Sequence, residues 1–340
     1  MICLIPKTNF DFVKNRFTFF AISGLLVLGS ILTIAVKGFN YGLDFSGGTM
    51  LQVDFRQPTD IGTIRTALEK AGITPEIQTY SGGSSYAIRV KGSQDNVNEI
   101  GNRIKSALDT VSAGYSVGRV EYVGPAVGRD LSKKAIWAMV LSLFGIIIYV
   151  AFRFSNPIWG VMGVLGQFHD ILIVVGALAI TGREINLITV AALLTIAGYS
   201  INDTIVIFDR MRENMHLNPR IKLYDLINLS VNETMSRTVI TTLTVFLASI
   251  ILYFLGGPVL NDFAFAMLVG VICGVYSTVT IATTLLYQFV EGSKNNSASN
   301  SAQLTEKKPA FAKIAADANT APPAAGNKLR ASKKSSRRRR

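Results

Sequence analysis

Charge is what this sequence is short of: 16% of its 340 residues are Asp, Glu, Lys or Arg, against 49% hydrophobic, and the mean hydropathy is +0.36. Soluble domains carry about a quarter charged residues, so that class is excluded and a membrane-embedded chain is expected. Cysteine is nearly absent. Cys3 lies at the extreme N-terminus and Cys273 inside an apolar run, which excludes a disulfide framework or a cysteine metal site. Histidine is equally scarce, with His216 in a charged loop and His169 inside an apolar run. No G-x-x-x-x-G-K-[ST] pattern occurs, so ATP hydrolysis by this chain is not expected. A basic nucleic-acid-binding core is excluded as well. The net charge of +12 gathers in the tail, where residues from Glu291 onward include twelve Lys or Arg against three acids.

What the chain has in plenty is long apolar runs. Residues 17–36 form the first, preceded by Lys7, Lys14 and Arg16; the run is long and no A-x-A site follows, so an uncleaved first transmembrane helix is expected. Five more spans are expected at 135–152, 157–180, 185–208, 238–255 and 263–290. Lys and Arg concentrate at the N-terminus, at Arg153, in the 209–237 loop and in the tail, whereas the GGPVLN link between spans five and six is uncharged. Both termini are therefore expected in the cytoplasm. Within the 209–237 loop, residues 223–229 suit a short amphipathic helix after Asn218-Pro219. Residues 291–340 read as a disordered, basic cytoplasmic tail, either simply solvated or attracted to anionic lipid or the ribosome.

Between the first two spans, residues 37–134 hold twelve basic and ten acidic side chains and alternate strand and helix patterns. Strands are expected at 50–55, 76–80, 86–91 and 116–123, helices at 61–71 and 95–111, and a hairpin connection at SGGSS. That βαββαβ order favours a small ferredoxin-like α+β domain, placed outside the cytoplasm by the orientation above. The expected fold is thus an α-helical polytopic membrane protein of six transmembrane helices with this domain between helices 1 and 2. Within 37–134, GLDFSGGT (42–49) stands out: Gly47-Gly48 permits a tight backbone turn, and Asp44 is placed to cap or pair at the membrane exit. VGPAVGR (123–129) suits either a hinge or a rigid linker.

The run INLITVAALLTIAGYSINDTIVIF carries Asp203 well inside the span. A carboxylate there costs roughly 2.5–3.5 kcal/mol on insertion scales, so it is a functional candidate by default, the alternative being a side chain that snorkels to the interface. Thr195, Tyr199, Asn202 and Asp203 fall within about 100° of one face. The opposite arc holds Ile196, Ile201 and Ile205, with Ser200 and Thr204 as polar exceptions, and is expected to meet lipid. Arg237 opens the fifth span in line with Thr241, Thr244 and Ala248; it either obeys the positive-inside rule or pairs with Asp203 across neighbouring helices. His169 and Asp170, with Gln167 close by, are candidates for a supporting relay. Gly160, Gly163 and Gly166, and Gly270, Gly274 and Thr278, suit close helix packing.

GLDFSGGT, VGPAVGRDL, FHD, TGREINLITVAALLTIAGYSINDTIVIFDRMREN and NETMSRTVITTLT occur in that order. Across about residues 10–290 the chain closely resembles the SecF family of protein-export subunits, which partner SecD. The resemblance implies one half of a resistance-nodulation-division type transporter in a bacterial inner membrane. It also implies SecD, the SecYEG channel, SecA and preprotein as partners, and proton flow rather than ATP as the energy source. No cofactor is implied; H⁺ is the coupling ion, with Na⁺ an alternative. Carried over residue by residue, the functional carboxylate is Asp203, the arginine is Arg237, and Thr241 shares its helix. The chain is expected to be a non-enzymatic translocation subunit, with a passive Sec scaffold and a small-molecule efflux half as rivals. Protonation of Asp203 would loosen its pairing with Arg237 and swing the outer domain about 37–44 and 123–134.

Overall fold

The computed structural model describes residues 8–81, 84–91, 97–111, 114–154 and 157–292. Two compact units divide the chain, Met1–Tyr287 and Gln288–Arg340. Of the second, residues 288–292 are helical, and residues 293–340, which hold nearly all of the basic tail, lie outside the described residues, as do Cys3 and Lys7.

Helix α1 (Arg16–Lys37) leads through a short strand β1 (Asn40–Tyr41) and a single turn α2 (Leu43–Ser46) into a βαββαβ succession. Its members are β2 (Gly48–Phe55), α3 (Ile61–Lys70), β3 (Glu76–Ser81), β4 (Ser85–Lys91), α4 (Val97–Asp109) and β5 (Tyr115–Val123). Gly82 and Gly83 of SGGSS lie outside the described residues. The strands form an antiparallel sheet in the order β3-β4-β2-β5. Strand period decides its faces: Leu51, Val53 and Phe55 of β2 join Tyr86 and Ile88 of β4 in a core closed by Ile64 and Leu68 of α3 and Ile104 and Leu108 of α4. Asp60 starts α3 by accepting from the Thr63 amide at 3.2 Å.

Helix α5 (Pro125–Arg153) follows β5 after one residue. Its membrane stretch therefore continues a helix begun ten residues before the expected 135, and residues 125–134 are part of that helix. The reason is local. Pro125 sits at the first helical position, and Gly47, at φ 68°, lies so near that a Cβ there would be 3.0 Å from Pro125 Cα. The double glycine and the start of α5 thus form one tight junction.

Helices α6 (Pro157–Thr181), α7 (Leu187–Leu217), α8 (Leu223–Leu255) and α9 (Gly257–Tyr276) complete the bundle, with a two-residue strand β6 (Glu184–Ile185) between α6 and α7 and a π-helical stretch, Ser277–Ala282, after α9. With α1 and α5 they provide six helices long and apolar enough to cross a membrane. The expected loop at 209–237 is largely helical: α7 runs on to Leu217 and α8 starts at Leu223, with Met211, Leu226 and Ile227 buried and Asn214 donating to Ser230 Oγ at 3.0 Å. Only 218–222, around Asn218-Pro219, breaks the helix.

Burial divides the bundle into an inner and an outer set. The apolar windows of α6, α7 and the helix begun by α9 are 56%, 56% and 61% buried, those of α1, α5 and α8 11% each. Val174, Leu178, Leu193, Ile196, Met267 and Val271 make the inner core. Ile196 lies over Gly270, where a Cβ would collide with it. This reverses the faces expected of α7. Ile196 and Ile201 are buried, whereas Thr195 and Asn202 are exposed. Lipid is as apolar as isoleucine, so polarity does not decide which face turns inward; the interlock of branched side chains with glycine does.

Candidate functional site

Asp203 lies midway along α7 and is 3% exposed. The charge acting on it is that of Arg237 on α8. Among the described residues no direct ion pair joins the two, so the pairing expected from sequence is a through-space relation here. Arg237 is exposed on the outer side of α8, because α8 turns most of its length away from the bundle. Thr241 is half-buried one turn on and donates to the Arg237 carbonyl at 3.0 Å. Tyr199 ties the same two helices together by donating to Thr242 Oγ1 at 3.3 Å. Asp203 is thus a shielded carboxylate near an arginine that faces outward, on a strip where Thr195 and Asn202 also face outward.

Asp170 is placed quite differently. It is fully buried on α6 and accepts hydrogen bonds from Ser200 Oγ of α7 at 2.6 Å and Ser277 Oγ at 2.7 Å. His169 Nδ1 lies 3.1 Å from its other oxygen. The His169 ring stands 6.3 Å from that of Tyr276, whose hydroxyl donates to the Phe19 carbonyl of α1 at 2.9 Å. Thr204 and Thr278 meet at 3.2 Å. Ser277 begins the π-helical stretch, a wider turn frequent at functional positions. Two features remain unsatisfied inside: His169 Nε2 and both amide atoms of Gln167 are buried without a hydrogen bond among the described residues. No hydrogen bond links Asp203 to His169 or Asp170, so the sequence candidates divide into two places rather than one relay.

Asp44, Gly47 and Gly48 lie at the junction of domain and bundle. Asp44 Oδ2 accepts from the Leu187 amide, the first of α7, at 2.9 Å, where a carboxylate suits the helix dipole. Gly47 and Gly48 have φ of 68° and 135°.

Three further groups had no signature strong enough to read from sequence. The β1–β6 pairing involves two residues a side, too few for a periodic pattern. Arg89 of β4 and Glu184 of β6 form a buried ion pair between residues almost a hundred positions apart. At the other end of the bundle, Asn228 and Asn232 of α8 bind the backbone of residues 10–13. Asn228 Oδ1 accepts from the Phe12 and Val13 amides at 3.0 and 3.2 Å, and Asn232 exchanges hydrogen bonds of 2.9 Å with both backbone groups of Phe10. Asp11 accepts from Tyr224, from Asn228 Nδ2 and from the Lys14 amide. Burial acts to raise the Asp11 carboxyl, but these hydrogen bonds and the Lys14 charge outweigh it and hold it below 3.8. The i, i+4 asparagines were the available signal.

Among the described residues no three His, Cys, Asp or Glu side chains gather as a metal site. Fold and site define a polytopic membrane subunit that carries ionisable groups both within a helical bundle and on its outer face. The family model described as "Protein export membrane protein SecD/SecF, C-terminal" matches residues 103–292, and that of the "SecD/SecF GG Motif" matches 33–59, which include Gly47 and Gly48. The protein translocase subunit SecF of Endomicrobium trichonymphae is 39% identical over 286 residues, covering 83% of this chain and 92% of that one. That of Escherichia coli O157:H7 is 36% identical over 282 residues, covering 81% and 86%. This chain belongs to the SecF family of protein translocase subunits. The crystal structure of SecDF, a translocon-associated membrane protein from Thermus thermophilus, superposes with a TM-score of 0.77 at 35% identity over 86% of this chain; the chain spans 40% of that longer protein.

Proposed function

We propose that the chain is the SecF half of a SecD–SecF pair that uses the proton motive force to promote preprotein translocation across a bacterial inner membrane. Both termini lie in the cytoplasm, and the ferredoxin-like βαββαβ domain lies outside it. Asp203 is the proton-accepting group, with Arg237 and Thr241 beside it; His169 and Asp170 form a separate supporting cluster. The SecYEG channel, SecA and preprotein are the further partners. The reading rests on one observation above others, the isolation of Asp203: a 3%-exposed carboxylate inside a span, without a hydrogen bond or ion pair among the described residues. Such groups mark ion pathways. The outward arginine supports a second half, because a charge on the outer face of a membrane helix needs protein or water opposite it. The length of the SecDF chain, of which this chain matches 40%, supports it as well.

The reading is tested in proteoliposomes holding the chain with its SecD and a pH-sensitive dye. An imposed gradient is expected to drive proton movement through the wild-type pair and none through Asp203→Asn at equal incorporation. Equal flux through both would remove Asp203 from the path, and flux driven by Na⁺ alone would replace the ion.

A further inference from the structure

We infer that Arg89 and Glu184 are positioning residues that couple the outer domain to helix α7, and through it to Asp203. The inference rests on the reading of Asp203 above. It begins with where the two side chains sit. Arg89 lies on β4 beside the core residue Ile88, so it projects from the opposite face of the sheet. Glu184 occupies the turn between α6 and α7. The residues are 7% and 3% exposed and their side chains form an ion pair. Buried pairs of this kind are poor sources of stability but specify one arrangement over others.

Around them the start of α7 is held residue by residue. Asn40 and Tyr41 pair with Glu184 and Ile185, the Gly42 amide donates to the Ile185 carbonyl at 2.9 Å, and Asp44 accepts from the Leu187 amide at 2.9 Å. These contacts come from the connector. Arg89 comes from the sheet itself. The pair itself lines one side of a cleft of about 780 Å³, which also has Met50, Gln78 and Arg119 on the sheet side and Asn186, Tyr253 and Val259 on the helix ends. A sheet held at Arg89 and at the Gly47–Pro125 junction, and open to a cleft, can tilt about these attachments but cannot slide from them. Asp203 lies sixteen residues into α7, about 24 Å along a rigid helix, so a shift of the helix reaches Glu184 directly. The pair thereby converts movement of α7 into movement of the domain.

The test uses the full chain with its SecD and the variant R89M/E184Q, which removes both charges of the pair together. Nitroxides are placed at Gln78→Cys and Val259→Cys across the cleft, with Cys3 and Cys273 replaced by alanine. The variant is expected to accumulate and assemble normally, to give a broadened distance distribution, and to export preprotein about tenfold more slowly, the size of an ordinary coupling between sites. Wild-type export, or an unchanged distribution, would overturn the inference. Should the variant fail to accumulate, the swap R89E/E184R decides. Restored accumulation and export support the coupling; accumulation without export, or failure of both variants to accumulate, overturns it in favour of a folding role. D203N is measured alongside. Normal export by D203N would sink the proton reading separately, with the distance distribution still reporting on the pin.

Discussion

Two aspartates in the same bundle show how little residue type says without environment. Asp170 accepts hydrogen bonds from two serines on neighbouring elements and lies beside the Nδ1 of His169 on its own helix. Asp203 has none of these and feels one outward-facing arginine. Asp203 was legible in the sequence because a carboxylate in an apolar run stands out by itself. The partners of Asp170 were not, since Ser200 read as an exception on an apolar arc and Ser277 acquires its meaning from the π-helical turn. Outside the membrane, Tyr115 offers a check on the domain. Burial first, and then the hydrogen bond to Asp109 at 2.8 Å and that residue's charge, push its phenol up to about 12 from 10.0. A raised pKa means the folded state holds its proton longer. Its contribution to stability is complete below pH 10 and is lost between 10 and about 12. The difference in phenolate absorbance between wild type and Tyr115→Phe should therefore be absent at pH 10 and appear near 12. Titration near pH 10 would mean that the Asp109 contact does not persist.

Helix α7 is the element whose reading changed most. Its span, its Asp203 and its polar strip follow from spacing alone, but the direction of the strip does not. In water the apolar arc of a helix turns inward; in lipid, both directions are apolar and packing decides. Ile196 against Gly270 supplies that decision, and it leaves Thr195 and Asn202 facing outward. The longer α8 and α5 have the same origin: their extensions beyond the apolar runs stay helical because they still bury one face. At the end of the bundle that holds the N-terminus, Asn228 carries three hydrogen bonds to residues 11–13. Asn228→Ala should expose the Phe12 and Val13 amides, speeding their hydrogen exchange about five- to 150-fold, as loss of about 1–3 kcal/mol of local hydrogen bonding implies. Unchanged exchange would mean that Asn232 and Phe10 suffice to hold the segment. The lowered Asp11 carboxyl adds a sign: its share of that attachment is present above pH 3.8 and fades as pH falls below it.

At the scale of the whole molecule, six spans and a βαββαβ domain were readable because long apolar runs and period-two strands are strong patterns. The way the two parts join was not. It depends on a two-residue strand pair, a double glycine against a proline helix start and one buried ion pair, none of which leaves a periodic trace. On the inference drawn above, that junction favours a tilt of the domain about its attachments, and the swing about the connectors expected from sequence is its rival. In the proposed pairing with SecD, this chain with its inner helices α6, α7 and α9 and the outward strip of α7 and α8 is one half. The strip is where the other half would lie.

The central claim is that Asp203 acts by titrating. Preprotein export should be measured in cells depleted of the native protein and supplied with Asp203→Asn, after its expression and assembly with SecD are shown to be normal. Export is expected to fall to the level of depleted cells, because an amide fills the space of the carboxylate but cannot take up and release the proton. Full export by the assembled variant would contradict the account and leave Asp203 a packing residue in a scaffold.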